Sequence, residues 1–351
     1  MYILGIDTSC DDTSAAVLKD GYRILSNVVS SQTEIHQKYG GIVPELASRK
    51  HIEMIWPVVD EALVHAGVTL GEIDAIAVCN GPGLIGSLLV GCGFAKAVAF
   101  AKKKPLTAVN HLEGHIISAF LEEDKPEFPF LSLVVSGGHT SIYLAEGFGR
   151  YTELGRTRDD AAGEAYDKVS KLLGFGYPGG PVIDRLAAEG DPKAIRFPRA
   201  YVPDSFDFSF SGLKTAVRNV ILRSGRTEVI QLQRKEEETK DMEASRFAKD
   251  VAASFQASVV AVLVRKMEWA IVKKGIRSIT VSGGVAANSA LRAEMAEMAA
   301  DREVRLYLPS RHLCTDNAAM IAAAGYHHFT AGEEAGMELN PKAYLPLGKQ
   351  K

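Results

Sequence analysis

Two histidines stand four residues apart in His111-Leu112-Glu113-Gly114-His115. On a helix, positions i and i+4 share a face, so both imidazoles can reach one point. Imidazole nitrogen ligates zinc, iron, nickel and copper. The pair is also compatible with two unrelated surface or core histidines. It is not the HExxH of zinc peptidases: Glu113 does not follow the first histidine directly and points elsewhere on such a helix. An oxygen ligand is on offer in Cys314-Thr315-Asp316-Asn317, just ahead of a late Ala-rich helix. Asp316 either caps that helix or completes a His, His, Asp set with positions open for solvent or substrate. Spacing does not decide between the two.

Glycine turns form the second set. They are Ser136-Gly137-Gly138-His139-Thr140, Gly179-Gly180-Pro181 and Ser282-Gly283-Gly284-Val285. Glycine lets backbone N–H groups approach a phosphate, and a helix N-terminus adds a favourable dipole. Two of these turns directly follow apolar strands, which favours a nucleotide over ordinary tight turns. Gly81-Pro82-Gly83 is a further such turn or the start of a close-packed helix. Asp167 and Asp184 flank Gly179-Gly180, where carboxylates hold ribose hydroxyls or sit as helix-surface acids. Ser87 lacks the second glycine of a nucleophile elbow. There is no Walker A loop, so a P-loop kinase is excluded.

The elements that must position these residues alternate between strand and helix. Tyr2 to Ile6, a polar turn rich in Asp7, Thr8, Ser9, Asp11, Asp12 and Thr13, then Ala15 to Leu18 read as strand, turn, strand. Leu131 to Val135, the Ser136 to Thr140 turn, then Ser141 to Leu144 repeat the plan, which points to two related α/β lobes. Ser278 to Val281 is a strand, and Asn288 to Met298 has helical periodicity. Helices are expected over Pro44 to Ala66 (interrupted near Trp56-Pro57), Ile85 to Phe100 (buried), Ala161 to Leu173 and Pro181 to Ala188. Phe247 to Lys274 reads as a long amphipathic helix, and Asp316 to Tyr326 as the late one. The charge-dense stretch 224–243 reads as a solvated surface insertion.

The chain has 351 residues, enough for about two domains. Its formal net charge of −3 excludes gripping nucleic acid by bulk charge but leaves room for local basic patches. Lys102-Lys103-Lys104 and Arg49-Lys50 are such clusters, with a solvated face as their default reading. Leu84 to Phe100, the longest apolar stretch, carries Lys96 and three glycines and falls short of a membrane span. The N-terminus has no basic region ahead of Asp7, unlike a secretory signal. Cys10, Cys79, Cys92 and Cys314 form no CxxC, so free thiols in a reducing cytoplasm are expected.

Several strings, in order along nearly the whole chain, resemble the bacterial tRNA N6-adenosine threonylcarbamoyltransferase family, TsaD. They are Gly5-Ile6-Asp7-Thr8-Ser9-Cys10-Asp11-Asp12-Thr13, Gly41-Ile42-Val43-Pro44-Glu45-Leu46-Ala47-Ser48-Arg49 and Gly81-Pro82-Gly83-Leu84. The His111–His115 and Val135–Thr140 strings follow. Phe208-Ser209-Phe210-Ser211-Gly212-Leu213-Lys214-Thr215, Ser282-Gly283-Gly284-Val285-Ala286 and Thr315-Asp316-Asn317 complete the set. The 224–243 stretch is longer than the family usually carries.

The resemblance implies an α/β, two-lobed, actin/Hsp70/sugar-kinase-like fold. It would have duplicated mixed-sheet lobes and a central nucleotide cleft. Lobe limits are placed at 1–110 plus 316–345 and at 111–315. It implies a divalent metal, iron ahead of zinc, on His111, His115 and Asp316. The adenylate-bearing substrate would lie on Val134, Val135, Ser136, Gly137 and Gly138, with Asp167, Gly180, Asp184 and Asn288 around the nucleoside. The implied reaction moves a threonylcarbamoyl group from threonylcarbamoyl-AMP to N6 of adenosine 37, in tRNAs reading codons that begin with A. Asp11, in the first hairpin turn, is the candidate proton acceptor. Implied partners are a shorter TsaB-type paralogue and a TsaE-type ATPase. A small-molecule kinase of the same fold class is the main alternative. A metallopeptidase and an actin-like scaffold are weaker ones.

Overall fold

The computed structural model describes residues 1–199, 202–225 and 246–350. All of the charged stretch but Ser224 and Gly225 lies outside the described residues.

The first sheet grows from the N-terminal strands β1 (Tyr2–Asp7), β2 (Asp12–Lys19) and β3 (Arg23–Ser31), paired antiparallel. β4 (Ala75–Gly81) and β5 (Leu106–Asn110) add in parallel beside β1, giving the order β3-β2-β1-β4-β5. The second sheet starts from β6 (Phe130–Val135), β7 (Thr140–Gly147) and β8 (Arg150–Arg156), again antiparallel. β9 (Ser278–Ser282) and β10 (Arg305–Tyr307) add in parallel beside β6, and β11 (Lys349–Gln350) joins the β8 edge. Read from β8 to β10, the second sheet repeats the strand order and directions of the first. The hairpin repeat seen in the sequence is therefore a duplicated lobe. β1 and β6 are central and covered on both faces, which is why both are nearly unbroken apolar runs.

The helices in chain order are α1 (Thr33–Gln37), α2 (Pro44–Ala66), α3 (Ile85–Lys102), α4 (His111–Ile117), α5 (Ala162–Leu172) and α6 (Gly179–Ala187). Then come α7 (Ser211–Arg223), α8 (Arg246–Lys274), α9 (Ser289–Asp301), α10 (Arg311–Cys314) and α11 (Ala318–Thr330). Three expectations need correction. α2 runs unbroken through Pro57. Proline removes the partner of the Glu53 carbonyl, but both residues face solvent, where water replaces it. The opposite face, with Ile55, Val58, Val59 and Ala62 buried, holds the helix in place. α3 is only half buried, since Ile85, Leu89 and Phe100 are exposed. Its small residues serve close approach instead: a Cβ on Gly91 would lie 2.4 Å from Thr8 Oγ1. α8 is not amphipathic. It buries Val251, Phe255, Val259 and Leu263 but also Ala253, Gln256 and Lys266, because the second lobe wraps around it. The expectation that the Leu84 to Phe100 stretch falls short of a span is also corrected: by length and composition α3 and α8 could each cross a membrane, but α8 is the central helix of a protein core and α3 packs on α2 and β4.

One core lies in the second lobe around α8, and another lies between the first sheet and α2 with α3. A third joins the lobes, with Ile3 and Cys79 of the first sheet, Val134 and Tyr143 of the second, and α4 and α11 between them. α11 sits tight on the first sheet. A Cβ on Gly5 would be 2.3 Å from the Ala318 carbonyl, and one on Gly325 would be 2.2 Å from Ala77 Cβ. The helix carrying the histidines and the one following Asp316 are thus fixed in the same interlobe core.

Candidate metal centre and its glycine turns

α4 begins at His111 and presents His115 one turn later, with Asn110 capping the helix through Leu112 N at 2.9 Å. The imidazoles meet edge to face with centroids 4.7 Å apart. His111 Nε2 lies 3.4 Å and His115 Nε2 3.3 Å from Asp316 Oδ1. The capping question is settled by Asn317, whose side chain accepts from Met320 N and caps α11. Asp316 is left to face the histidines. His115 is fully buried; its Nε2 faces Asp316, and its Nδ1 has no hydrogen-bond partner among the described residues. A buried ring nitrogen without a partner is costly unless something else engages it. Two Nε2 atoms and a carboxylate oxygen converging within ligand range fit a divalent metal with open positions.

Charge follows this geometry. Burial opposes charging His111, but Asp316 and Asp7 outweigh it and raise its pKa well above the usual imidazole range. Burial holds His115 below that range. Asp316 is also buried against ionisation, yet His111 and His115 pull its carboxyl well below the ordinary value. Burial, then the neighbouring His111 and His115, depresses His139 to about 4, so it stays neutral beside the centre.

Sequence reasoning missed Asp7. Its Oδ2 lies 3.2 Å from His111 Nδ1, and its Oδ1 accepts from Ser9 N at 2.9 Å. A carboxylate on the far nitrogen fixes a ligating histidine's tautomer and raises its basicity. Cys79 is also within ligand range of Asp7 and His111. Burial pushes its thiol up to about 12, so with no metal bound it is a neutral neighbour. The only sequence signal for Asp7 was an acid ending an apolar strand.

The glycine turns converge beside this centre. The β6–β7 turn closes by Ser136 N donating to the His139 carbonyl at 2.8 Å. Gly137 and Gly138 face open space. A Cβ on Gly163, in α5, would be 2.6 Å from the Ser136 carbonyl, so that helix starts against the turn. Gly283 abuts the same turn: its Cβ would lie 2.4 Å from the Val135 carbonyl. Gly179 opens α6, and its N–H donates to Asp167 Oδ1 at 2.7 Å. Gly180 faces open space. Gly83 supports the close-packed reading of its turn, since its Cβ would be 2.3 Å from the Ser9 carbonyl.

Asp184 and Asn288 are brought together, but they spend their groups on each other and their neighbours. Asn288 Nδ2 donates to Asp184 Oδ1 at 3.0 Å and to Gln256 Oε1 at 2.7 Å, while its Oδ1 caps α9. Asp184 also accepts from Ser289 N and Oγ. Asp11 accepts from the Tyr177 hydroxyl at 3.2 Å. It stands between the two sets, since its charge acts on Asp167 and, together with that of Asp316, on Cys10. Burial and then Asp11 raise Asp12 to about 7, and its Oδ1 is buried without a hydrogen-bond partner among the described residues. Sequence reasoning did not single out Asp12, whose signal was only its place beside Asp11. A cavity of about 350 Å³ opens beside the centre, lined by Leu112, Gly138, His139, Arg156 and Tyr344 among others.

The fold is shared with component A of (R)-2-hydroxyglutaryl-CoA dehydratase from Acidaminococcus fermentans: TM-score 0.54 at 15% identity, covering 94% of this chain and 99% of that one. It is also shared with full-length HypF: TM-score 0.58 at 13% identity, covering 93% of this chain and 54% of that one. These likenesses bear on the fold alone: two lobes, each a mixed sheet flanked by helices. The sequence is 59% identical over 347 residues to the tRNA N6-adenosine threonylcarbamoyltransferase of Thermodesulfovibrio yellowstonii, covering 99% of this chain and all of that protein. It is 53% identical to the enzyme of the same name from Symbiobacterium thermophilum, over 99% of this chain and 97% of that one. The profile of the TsaD family, described as tRNA N6-adenosine threonylcarbamoyltransferase, matches residues 23–323. The chain belongs to the TsaD family of tRNA N6-adenosine threonylcarbamoyltransferases.

Proposed function

We propose that the chain transfers a threonylcarbamoyl group from threonylcarbamoyl-AMP to N6 of adenosine 37, in tRNAs reading codons that begin with A, and releases AMP. Beyond family membership, the observation that carries this reading is the convergence of His111, His115 and Asp316 beside glycine turns and a cavity. A kinase of the same fold class is not favoured, because the relatives matched over the full chain are transferases.

In this reading His111 Nε2, His115 Nε2 and Asp316 Oδ1 hold one divalent metal, iron ahead of zinc. Such a metal supplies Lewis-acid polarisation and a template for substrate oxygens. The remaining work falls to the chain. The exocyclic amine of adenine is a weak nucleophile because its lone pair is delocalised into the ring. A new C–N bond forms at the carbamoyl carbon as the C–O bond to the phosphate breaks, and the electron pair leaves on AMP. The open Gly137 and Gly138 amides face that phosphate, and the N-terminus of α5 adds its dipole. Val134, Val135 and Ser136 set the position of these amides. Asp167, Gly180, Asp184 and Asn288 surround the nucleoside, the last two by fixing α6 to α9. The amine proton passes to Asp11 or to its neighbour Asp12, which titrates near neutrality.

The lobes are assigned as 1–110 plus 316–345 and 111–315. The partners assigned are a TsaB-type paralogue and a TsaE-type ATPase, and a cytoplasmic location accompanies a tRNA substrate. The test incubates the purified chain with threonylcarbamoyl-AMP and unmodified tRNA, with and without those partners. The tRNA is then digested for nucleoside mass spectrometry. Modified adenosine that vanishes in His111→Ala is the expected result. No product, with partners shown competent alongside another family member, would sink the reading.

A further inference from the structure

The loop from Glu189 to Arg199 follows α6 and is pinned to α8 along its length. Asp191 N donates to Asp250 Oδ1 at 2.8 Å, and Ile195 N donates to Ser254 Oγ at 3.1 Å. Lys249 pairs with Glu189 at 2.7 Å. Gly190 packs so close that a Cβ would lie 2.1 Å from the Lys249 carbonyl. Phe197 is buried and anchors the far end. This is a preorganised loop. It borders a cavity of about 540 Å³ whose other wall includes Ala257 and Ser258 of α8.

Lys193, Arg196 and Arg199 line that cavity, and all three are exposed. None of them lies within ion-pair distance of an acid among the described residues. Arg156, Arg158, Arg246 and Arg302 each do. Glu294 of α9 is the acid that faces Arg199, and it remains beyond pairing distance. A rigid loop presenting three cations, none in an ion pair among the described residues, around a nucleotide-sized cavity is matched to a polyanion. The substrate of this family is a polyanion, yet the chain as a whole carries −3 and has no bulk charge with which to hold it.

We propose that the cavity bordered by Lys193, Arg196 and Arg199 is a docking site for the sugar–phosphate backbone of the substrate tRNA. The site contributes affinity and placement rather than chemistry. It rests on the tRNA-modifying reading above. The cations stand three residues apart, so they form no run that a scan for basic clusters would find.

The cavity wall adjoins Gln256, which bonds Asn288 at the proposed nucleoside site. Its phosphate could therefore belong to the small adenylate donor, and the test separates the two. Fluorescence anisotropy would follow labelled unmodified tRNA binding to the full-length chain, with and without partner subunits, across a salt series. The triple variant Lys193→Ala/Arg196→Ala/Arg199→Ala should bind at least about tenfold more weakly near 0.1 M salt, with a slope of log K against log salt shallower by about 2. The KM for tRNA should rise, while kcat at saturating tRNA and the affinity for threonylcarbamoyl-AMP stay at wild-type values. Arg196→Lys/Arg199→Lys, which keeps the charge, should hold the wild-type slope. Unchanged tRNA affinity and slope in the triple variant would overturn the proposal. So would a loss confined to threonylcarbamoyl-AMP, or wild-type chain that binds no tRNA even with partners. In the first two cases kcat preserved at saturating tRNA leaves the transferase reading standing.

Discussion

Asp7 Oδ2 lies 3.2 Å from His111 Nδ1, on the opposite side of the ring from Asp316. The pair joins the end of β1 to the start of α4 across 104 residues of sequence. It holds the Nε2 lone pair of His111 aimed at the point shared with His115 and Asp316. Asp7→Asn keeps the shape but removes the charge that makes this nitrogen a strong donor. Metal affinity should fall roughly 10- to 100-fold, read by competition with a chelator of known strength. An unchanged affinity would show that Asp7 only orders its own turn.

Gly283 and Gly180 should respond in opposite ways to alanine. Gly283 has φ 91° and ψ 160°, a region reserved for glycine, and its Cβ would lie 2.4 Å from the Val135 carbonyl. Gly283→Ala should cost about 2 kcal/mol or more in urea unfolding. Gly180 sits in the first turn of α6 with nothing within 4 Å of a Cβ. Gly180→Ala should leave stability within about 0.5 kcal/mol of wild type. Equal destabilisation by both would contradict the turn geometry.

What the sequence made legible was local. His111 and His115 share a helix face by spacing alone. The two hairpins were readable because each glycine or polar turn sits between apolar runs. What stayed hidden depended on distant packing. Whether Asp316 or Asn317 caps α11 turns on a backbone angle that neighbouring residue types do not reveal. α8 looked amphipathic because its polar residues were assumed to meet water, whereas Gln256 and Lys266 are buried with partners. Asp7 became a support for His111 only when parallel pairing of β1 and β4, then β4 and β5, carried Asn110 and α4 to its side.

His328 ties α4 to α11 and should make stability depend on pH. Its Nε2 lies 2.8 Å from Glu113 Oε2, and its Nδ1 lies 2.5 Å from Glu333 Oε2. Burial opposes the charge, but Glu113 and Glu333 raise the imidazole to about 9. A histidine raised on folding contributes its full stability below its unfolded pKa of about 6.5 and loses it as pH climbs through the folded value. Between pH 6.5 and 9 the loss should be on the order of 2 kcal/mol. Urea midpoints at several pH values would measure it, and His328→Gln should flatten that part of the profile. A wild-type profile that is flat across this window would remove the pair from the account.

Asp12 combines a stability cost with a catalytic opportunity. Burial first, and then Asp11, raise its carboxyl to about 7, with only Ser31 working the other way. An acid raised on folding is stabilising in its neutral form. That contribution is complete below the unfolded pKa of about 3.9 and is lost as pH rises through about 7. Asp12→Asn should therefore be more stable than wild type at pH 8, by on the order of 2 kcal/mol. If Asp12 takes the amine proton, the same change should slow transfer by about 100-fold or more. It should also abolish the rise in wild-type rate with pH through 7, while Asp11→Asn keeps a rise but moves it to lower pH, because the Asp11 charge no longer raises Asp12. Single-turnover rates over pH 5.5 to 8.5 distinguish the two carboxylates. A more stable Asp12→Asn chain with an unchanged rate and pH profile would leave Asp11 as the acceptor and Asp12 as a charge the turn merely tolerates.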